Sequence, residues 1–122
     1  MKNKLSASMS ADCLFCKIVA GTIPANRVYE DECSIVFPDI NPQAPTHLLI
    51  IPKQHIGSLA KCVAEDTSLL GHLMSTAADV ARTLNLDRGY RIVLNTGDDG
   101  GQTVNHLHLH LLGGRHMGWP PG

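Results

Sequence analysis

The chain of 122 residues is long enough for one compact domain and too short for two; 43% of it is hydrophobic but only 4% aromatic, so its core must be mainly aliphatic. A formal charge of −1 excludes a strongly basic surface and argues against nonspecific binding to a nucleic-acid backbone. No apolar run reaches the length of a membrane span, so no membrane partner is expected.

Residues 1–11 carry Lys2 and Lys4 and then read Leu-Ser-Ala-Ser-Met-Ser, too polar for the core of a secretory signal. They predict a flexible N-terminal segment on a cytoplasmic protein, with a single domain over residues 12–122. The cytosol keeps thiols reduced, so the four cysteines are not read as a disulfide framework. Cys13–Ala20 is apolar and predicts a short helix ended by Gly21, with Pro24 beyond it. Arg27–Glu30 and Cys33–Phe37 read as two short strands around a tight turn at Asp31-Glu32. Cys33 and Cys62 stand in apolar contexts and are expected as small core residues.

Pro38, Pro42 and Pro45 break the chain into a loop. His47–Ile51 then reads as a buried strand stopped by Pro52. The clearest helix spans Asp66–Leu84, with Asp66 or Thr67 as its cap. Leu69, Leu70, Leu73, Met74, Ala77, Val80, Ala81 and Leu84 recur at helical spacing and predict one apolar face, Met74 included in the core. His72 falls on the opposite, polar face and is expected in solvent. Tyr90–Asn95 predicts a strand, residues 96–102 a glycine-rich loop whose Asp98 and Asp99 read as exposed turn residues, and Val104–Leu112 a final strand. Strands early and late around one long helix, without βαβ alternation, predict an α+β fold with a mostly antiparallel sheet.

The informative stretch is His106-Leu107-His108-Leu109-His110-Leu111-Leu112. Side chains alternate along a strand, so the three histidines share one face and the leucines the other. The leucine face is expected on the core, and the histidine face open to solvent, ligand or metal, because three buried imidazoles without partners are costly. Ordinary polar sheet faces use Thr, Lys, Glu and Ser, so a histidine face by chance is the weaker reading. One zinc ion shared by all three is geometrically awkward. Residues two apart on a strand are separated by about 6.5–7 Å, against zinc–nitrogen bonds of about 2.0–2.1 Å. A division of labour fits better: one outer histidine in a structural site, the other two in chemistry. Just upstream, Gly97-Asp98-Asp99-Gly100-Gly101-Gln102-Thr103 is a loop whose glycines let backbone N–H groups approach an anion, with the Thr103 hydroxyl as a further donor.

With the complete pattern His106 to Leu112, the chain resembles the histidine-triad (HIT) family, whose signature alternates three histidines with apolar residues. The tail at residues 113–122, ending Trp119-Pro120-Pro121-Gly122, is similar to that of the Hint branch, the histidine-triad nucleotide-binding proteins; so are Asp39-Ile40, Ala44-Pro45-Thr46-His47 and Gly100-Gly101-Gln102-Thr103-Val104. The resemblance covers nearly everything from Asp12 onward. It implies a HIT-like fold of five strands with one long and one short helix, and a homodimer through which the sheet continues. It implies hydrolysis of adenosine or guanosine 5′-monophosphoramidates, with AMP or GMP as the nucleotide bound. His108 is then the nucleophile, forming a nucleotidyl-histidine that water cleaves. His110 would hold a phosphate oxygen, His47 would support the proton network, and Thr103, where the family usually has serine, would stand near the leaving amine. Asn95, Gly101 and Gln102 would contact phosphate; Asp39 would accept the ribose hydroxyls, with Ile40 near the base. Trp119, on a tail stiffened by its prolines, would shape substrate preference near the partner's site, and His116 either reaches that site or sits on the surface. No cofactor is expected in catalysis.

Cys13-x-x-Cys16 is a common half of a tetrahedral zinc site. Some histidine-triad members complete it with the histidine after Pro-Lys-x and the first signature histidine, here His55 and His106, which implies a structural zinc. A redox pair is the weaker reading, since no thioredoxin-like βαβ pattern surrounds it. Three other functions remain open: a purine nucleotide-binding protein without significant catalysis, a zinc hydrolase using the histidine strand directly, and a dinucleoside polyphosphate hydrolase.

Overall fold

The β-branched and leucine-rich run Thr46–Pro52 forms strand β3 at the centre of the sheet. The structure, a computed structural model, describes residues 12–122, and the segment 1–11, expected to be flexible, lies outside the described residues. In chain order the elements are helix α1 (Leu14–Val19), strands β1 (Tyr29–Glu30), β2 (Ser34–Pro38) and β3, 3-10 turns at Leu59–Lys61 and Ala64–Asp66, helix α2 (Thr67–Thr83), and strands β4 (Tyr90–Val93) and β5 (Leu109–Gly113). The strands form one five-stranded sheet in the order β1-β2-β3-β5-β4, every pair antiparallel. The α+β architecture expected from the sequence is the one observed.

Strand alternation divides the core in two. Val36, Leu48, Ile50, Leu109 and Leu111, with Leu107, pack beneath α2 against Leu73, Ala77, Val80 and Ala81. Ile35, Phe37, Leu49 and Ile51 point to the other face and lie under α1, against Phe15, Cys16 and Ile18. β3 is therefore buried on both faces, which is why it reads as a continuous apolar run rather than an alternating one. Each such Leu or Ile contributes about 1.5–3 kcal/mol on burial.

Several local expectations are corrected. The first strand shortens to Tyr29–Glu30 and β4 stops at Val93. β5 begins at Leu109 rather than Val104. Its ladder with β3 ends at Ile50↔Leu109, two residues before Pro52, which has no N–H to continue it; the Leu107 N–H bonds the Ile56 carbonyl instead. Asp66 occupies the N-cap of α2 without capping it: its carboxylate accepts the Val63 N–H, and the 3-10 turn runs straight into the helix. Met74 is 52% exposed and Leu84 40%. The sheet covers a stripe that takes in Leu73, Thr76, Ala77 and Val80, and Met74, about 100° around the helix from Leu73, falls beyond its edge. Cys33 and Cys62 are half-buried rather than core.

His72 is not simply in solvent. Its Nε2 lies 2.7 Å from Asp31 Oδ2 and ties α2 to the β1–β2 turn. Asp31 shapes that turn by accepting on Oδ1 from the Cys33 N–H, the Ser34 N–H and the Ser34 hydroxyl. Burial opposes ionisation of Asp31, but the hydrogen bonds from Cys33, His72, Ser34 and Tyr29 outweigh it and hold its carboxyl well below the usual carboxylate range. Burial, and then the Asp31 charge, push the Cys33 thiol up.

Candidate functional site

His106 and His108 precede β5 in chain that keeps the strand's alternation, so Leu107, Leu109 and Leu111 face α2 while the histidines face α1. The expected leucine-in arrangement holds. The expected face open to solvent, ligand or metal is found in part: His108 and His110 line a cleft and His106 faces the Cys13, Cys16 and His55 cluster, but solvent reaches little of it, His106 being 0% exposed and His108 5%. The reason is α1, which lies across them, with Phe15 meeting both rings edge-on at centroid distances of 5.8 and 5.1 Å. Burial without partners would be costly, and each ring has them.

Backbone partners dictate which nitrogen of each ring carries its proton. The His108 Nδ1–H donates to the His106 carbonyl at 2.7 Å, which leaves Nε2 with the lone pair. His47, buried on β3, accepts the Gln43 N–H on Nδ1 at 3.0 Å, so its proton sits on Nε2. That Nε2–H donates to His110 Nδ1 at 2.9 Å and stands 3.5 Å from Asp39 Oδ2. His110 is left with its own proton on Nε2. Burial first, then His108 and His47, push the His110 pKa down to about 4, so near neutral pH it is an uncharged hydrogen-bond donor. Two imidazoles of opposite character thus sit side by side, ring centroids 5.0 Å apart: one offers a lone pair, the other an N–H.

The first histidine belongs to a different constellation. His106 Nε2–H donates to the Pro52 carbonyl at 2.9 Å, turning Nδ1 toward three other groups. Cys13 Sγ lies 3.3 Å from it, Cys16 Sγ 3.6 Å and His55 Nδ1 3.2 Å, while Cys16 Sγ is 3.2 Å from His55 Nδ1. A tetrahedral zinc ion with the usual bond lengths requires ligand-to-ligand separations of about 3.3–3.8 Å. The two thiols and two Nδ1 atoms come close to that spacing, and the Pro52 carbonyl supplies the outer hydrogen bond that fixes a ligating histidine. The donor set fits a structural zinc. Burial drives the His106 pKa down to about 4, in keeping with a ring held neutral.

Beside His108 and His110 opens a cleft of about 630 Å³. Thr103, Asp39 and Ile40 also line it, Asp39 half-buried and Ile40 98% exposed. Its wall is mostly apolar, and nearly half of its lining residues belong to α1 and the segment after it, including Phe15, Ile18, Ile23 and Pro24. Residue-by-residue reading missed this wall, though Phe15 and Ile18 stand three apart on the predicted short helix. Gln43 and Pro52 were also missed; they act through backbone atoms and carry no side-chain signal.

Asn95, Gly101 and Gln102 do not line the cleft. Gln102 holds the glycine loop together: its amide accepts the Gly97 N–H and donates to the Gly57 and Val104 carbonyls. The Gly101 and Gln102 N–H groups close the loop on the Asp98 and Gly97 carbonyls. A Cβ on Gly100 would come within 2.3 Å of the Thr96 carbonyl oxygen, so the turn admits only glycine there. Trp119 is 83% exposed and His116 also faces solvent, on a tail that returns across the molecule. Arg115 Nε donates to the Gln43 carbonyl, and Arg91 donates to the Gly118 carbonyl.

Comparison with known proteins converges on one family. The HIT domain pattern matches residues 20–117. The 14 kDa zinc-binding protein of Zea mays is 52% identical over 111 residues, 89% of this chain and 87% of the maize protein. The crystal structure of a HIT family hydrolase from Legionella pneumophila superposes with a TM-score of 0.89 at 53% identity, covering 91% of this chain and all of that one. A histidine triad nucleotide-binding protein from Candida albicans superposes with a TM-score of 0.77 at 33% identity, covering 89% and 83% of the two chains.

Proposed function

The chain belongs to the HIT domain family, and we propose that within it this protein is a purine nucleoside phosphoramidase of the Hint branch, with His108 as its covalent nucleophile. The observation that carries the reading is the hydrogen bond from His108 Nδ1–H to the His106 carbonyl, which leaves Nε2 as the attacking atom in a residue that lines the cleft. The apolar wall suits a purine base, and Asp39 suits the ribose hydroxyls. The similarity to a hydrolase and to a nucleotide-binding protein supports both halves of the proposal.

In the first step His108 Nε2 forms a bond to phosphorus and the P–N bond breaks. The amine leaves with a proton taken up there, near the Thr103 hydroxyl. The nucleotidyl-imidazolium keeps its Nδ1–H on the His106 carbonyl, so the positive charge faces an oxygen. The His110 Nε2–H holds a phosphoryl oxygen, and His47 fixes that tautomer. In the second step water attacks phosphorus, the N–P bond breaks, the nucleoside monophosphate departs and a proton is released. Dividing one difficult displacement into two is the benefit of a covalent intermediate. Gln102, bonded to the Gly97 N–H and to the Gly57 and Val104 carbonyls, positions the loop beside the phosphate.

The Cys13, Cys16, His55 and His106 set would hold a structural zinc, which supplies a cross-link between α1 and the histidine segment and takes no part in the reaction. The protein acts as a homodimer.

The test is hydrolysis of a fluorogenic adenosine phosphoramidate by wild type and His108→Ala, each with and without EDTA. Wild type is expected to turn over with little effect of EDTA, and the variant to lose about three orders of magnitude or more. Wild type that binds AMP without turnover refutes the enzyme reading and leaves a binding protein. Preference for dinucleoside polyphosphates over phosphoramidates in competition refutes the branch.

A further inference from the structure

Asp31, Cys33 and His72 stand apart from the cleft and from the Cys13–Cys16 cluster, at the junction of the β1–β2 turn with α2. Their ligand-capable atoms, a carboxylate oxygen, a thiol sulfur and an imidazole nitrogen, all lie within 4.8 Å of one another, and each residue is half-buried. We propose that these three residues form a second metal site, a three-ligand one for a divalent transition ion of the zinc class, with its fourth position open to water or an outside ligand.

The chemistry of the set supports that class. Nitrogen, thiolate and carboxylate together suit zinc and its neighbours and are poorly matched to calcium or magnesium, which take oxygen. The carboxylate is already held. Its Oδ1 is occupied by the Cys33 N–H, the Ser34 N–H and the Ser34 hydroxyl at 2.8–3.0 Å, which turns Oδ2 outward to His72 Nε2, with the Tyr29 hydroxyl 2.9 Å away. Cys33 follows two residues later in the same turn, and His72 comes from a helix whose position is fixed by the core.

Seating an ion requires the 2.7 Å His72–Asp31 contact to open by about half an ångström and the thiol to swing in, both side-chain rotations. On binding, the Cys33 thiol gives up its proton and the metal takes the place of the proton between His72 Nε2 and Asp31, which leaves if His72 is charged beforehand and moves to Nδ1 if it is neutral, so two protons leave in the first case and one in the second. The simpler alternative is that His72 and Asp31 form only a hydrogen-bonded pair. In such a pair the Cys33 thiol does no more than donate to the Asp31 carboxylate, so metal binding by Cys33 variants decides between them.

The experiment counts metal bound by the full-length protein. Wild type, Cys33→Ser, His72→Gln and the control Cys62→Ser are dialysed against micromolar free zinc and analysed for zinc per chain, with circular dichroism confirming that each is folded. Cys33→Ser and His72→Gln are each expected to hold one equivalent fewer than wild type, and Cys62→Ser the same as wild type. Because the readout is a difference, occupancy of the Cys13–Cys16 cluster does not affect it, and neither does failure of the enzyme reading. Cobalt(II) in place of zinc gives the second readout: a thiolate-to-cobalt absorption component lost in Cys33→Ser. Equal zinc in wild type, Cys33→Ser and His72→Gln overturns the proposal. So does a deficit in His72→Gln alone, which would exclude the thiol as a ligand.

Discussion

His110 faces different partners through its two nitrogens: Nδ1 accepts from His47, and Nε2 carries the proton. Protonation would put a second N–H against the His47 N–H, and burial already holds the pKa down to about 4 against an ordinary 6.5. The unfolded chain therefore binds this proton more tightly than the folded one. Stability contributed by keeping His110 neutral is complete above pH 6.5, declines as the pH falls below that value, and is lost by about pH 4. Urea midpoints measured from pH 7.5 down to 4 should fall more steeply for wild type than for His110→Gln; parallel curves would contradict the assignment. In the proposed mechanism His47 acts through His110, as a positioning residue. His47→Ala removes the donor that fixes the His110 tautomer and should lower kcat about ten- to a hundredfold, the usual scale for orienting partners, with KM changed far less. His47→Gln, which keeps a side-chain N–H, should recover part of the loss; a KM effect equal to the kcat effect would mean a binding role instead.

Helix α1 is six residues long, too short to be stable on its own, yet it places two thiols in the zinc-type cluster and Phe15 against both His106 and His108. Phe15 is 4% exposed and also meets Phe37 edge-on at 5.7 Å. Phe15→Ala should cost about 3–5 kcal/mol, read as a drop in the denaturant midpoint, and Phe15→Leu clearly less. If zinc occupies the cluster as proposed, removing it with a strong chelator should raise amide exchange at residues 13–20 before the strands respond, because α1 then loses its cross-link to the histidine segment. Unchanged exchange would show that the cross-link does not hold the helix. The same helix explains what is legible in the sequence. Alternation at residues 106–111 states which rings share a face, and periodicity in residues 67–83 states which side of α2 meets the sheet. Nothing local states that residues 14–19 cross over to bury those rings, since that contact joins positions some ninety residues apart and depends on the path of the whole chain. His72 with Asp31 is hidden for the same reason. Met74 misleads because helical spacing marks an apolar stripe without marking how wide a stripe the sheet covers.

At the scale of the molecule, β4 is the longer of the two edge strands of the sheet, β1 at the other edge having only two residues. It pairs with β5 on one side only, and it lacks the prolines that blunt such edges, while Tyr90 on it is 43% exposed. Met74 of α2 and Leu84, just past its end, add exposed apolar surface, and the tail runs back to β4 through the Arg91–Gly118 hydrogen bond. An edge strand can pair antiparallel with its own copy across a two-fold axis, and in such an interface each residue near the axis meets itself. A charge placed there is therefore doubled and opposed. If the homodimer forms through β4, Tyr90→Glu should weaken it at least tenfold, moving the sedimentation boundary toward the monomer at concentrations where wild type is dimeric, while circular dichroism stays unchanged. The tail connects this edge to the cleft, since Arg115 holds the Gln43 carbonyl and the Gln43 N–H holds His47. Arg115→Ala, which removes the Gln43 contact and leaves the Arg91–Gly118 one, should therefore lower kcat more than it changes the dimer's stability. A wild type that sediments as a monomer would remove the edge argument. A Tyr90→Glu dimer as tight as wild type would move the interface away from β4 and toward the exposed side of α2.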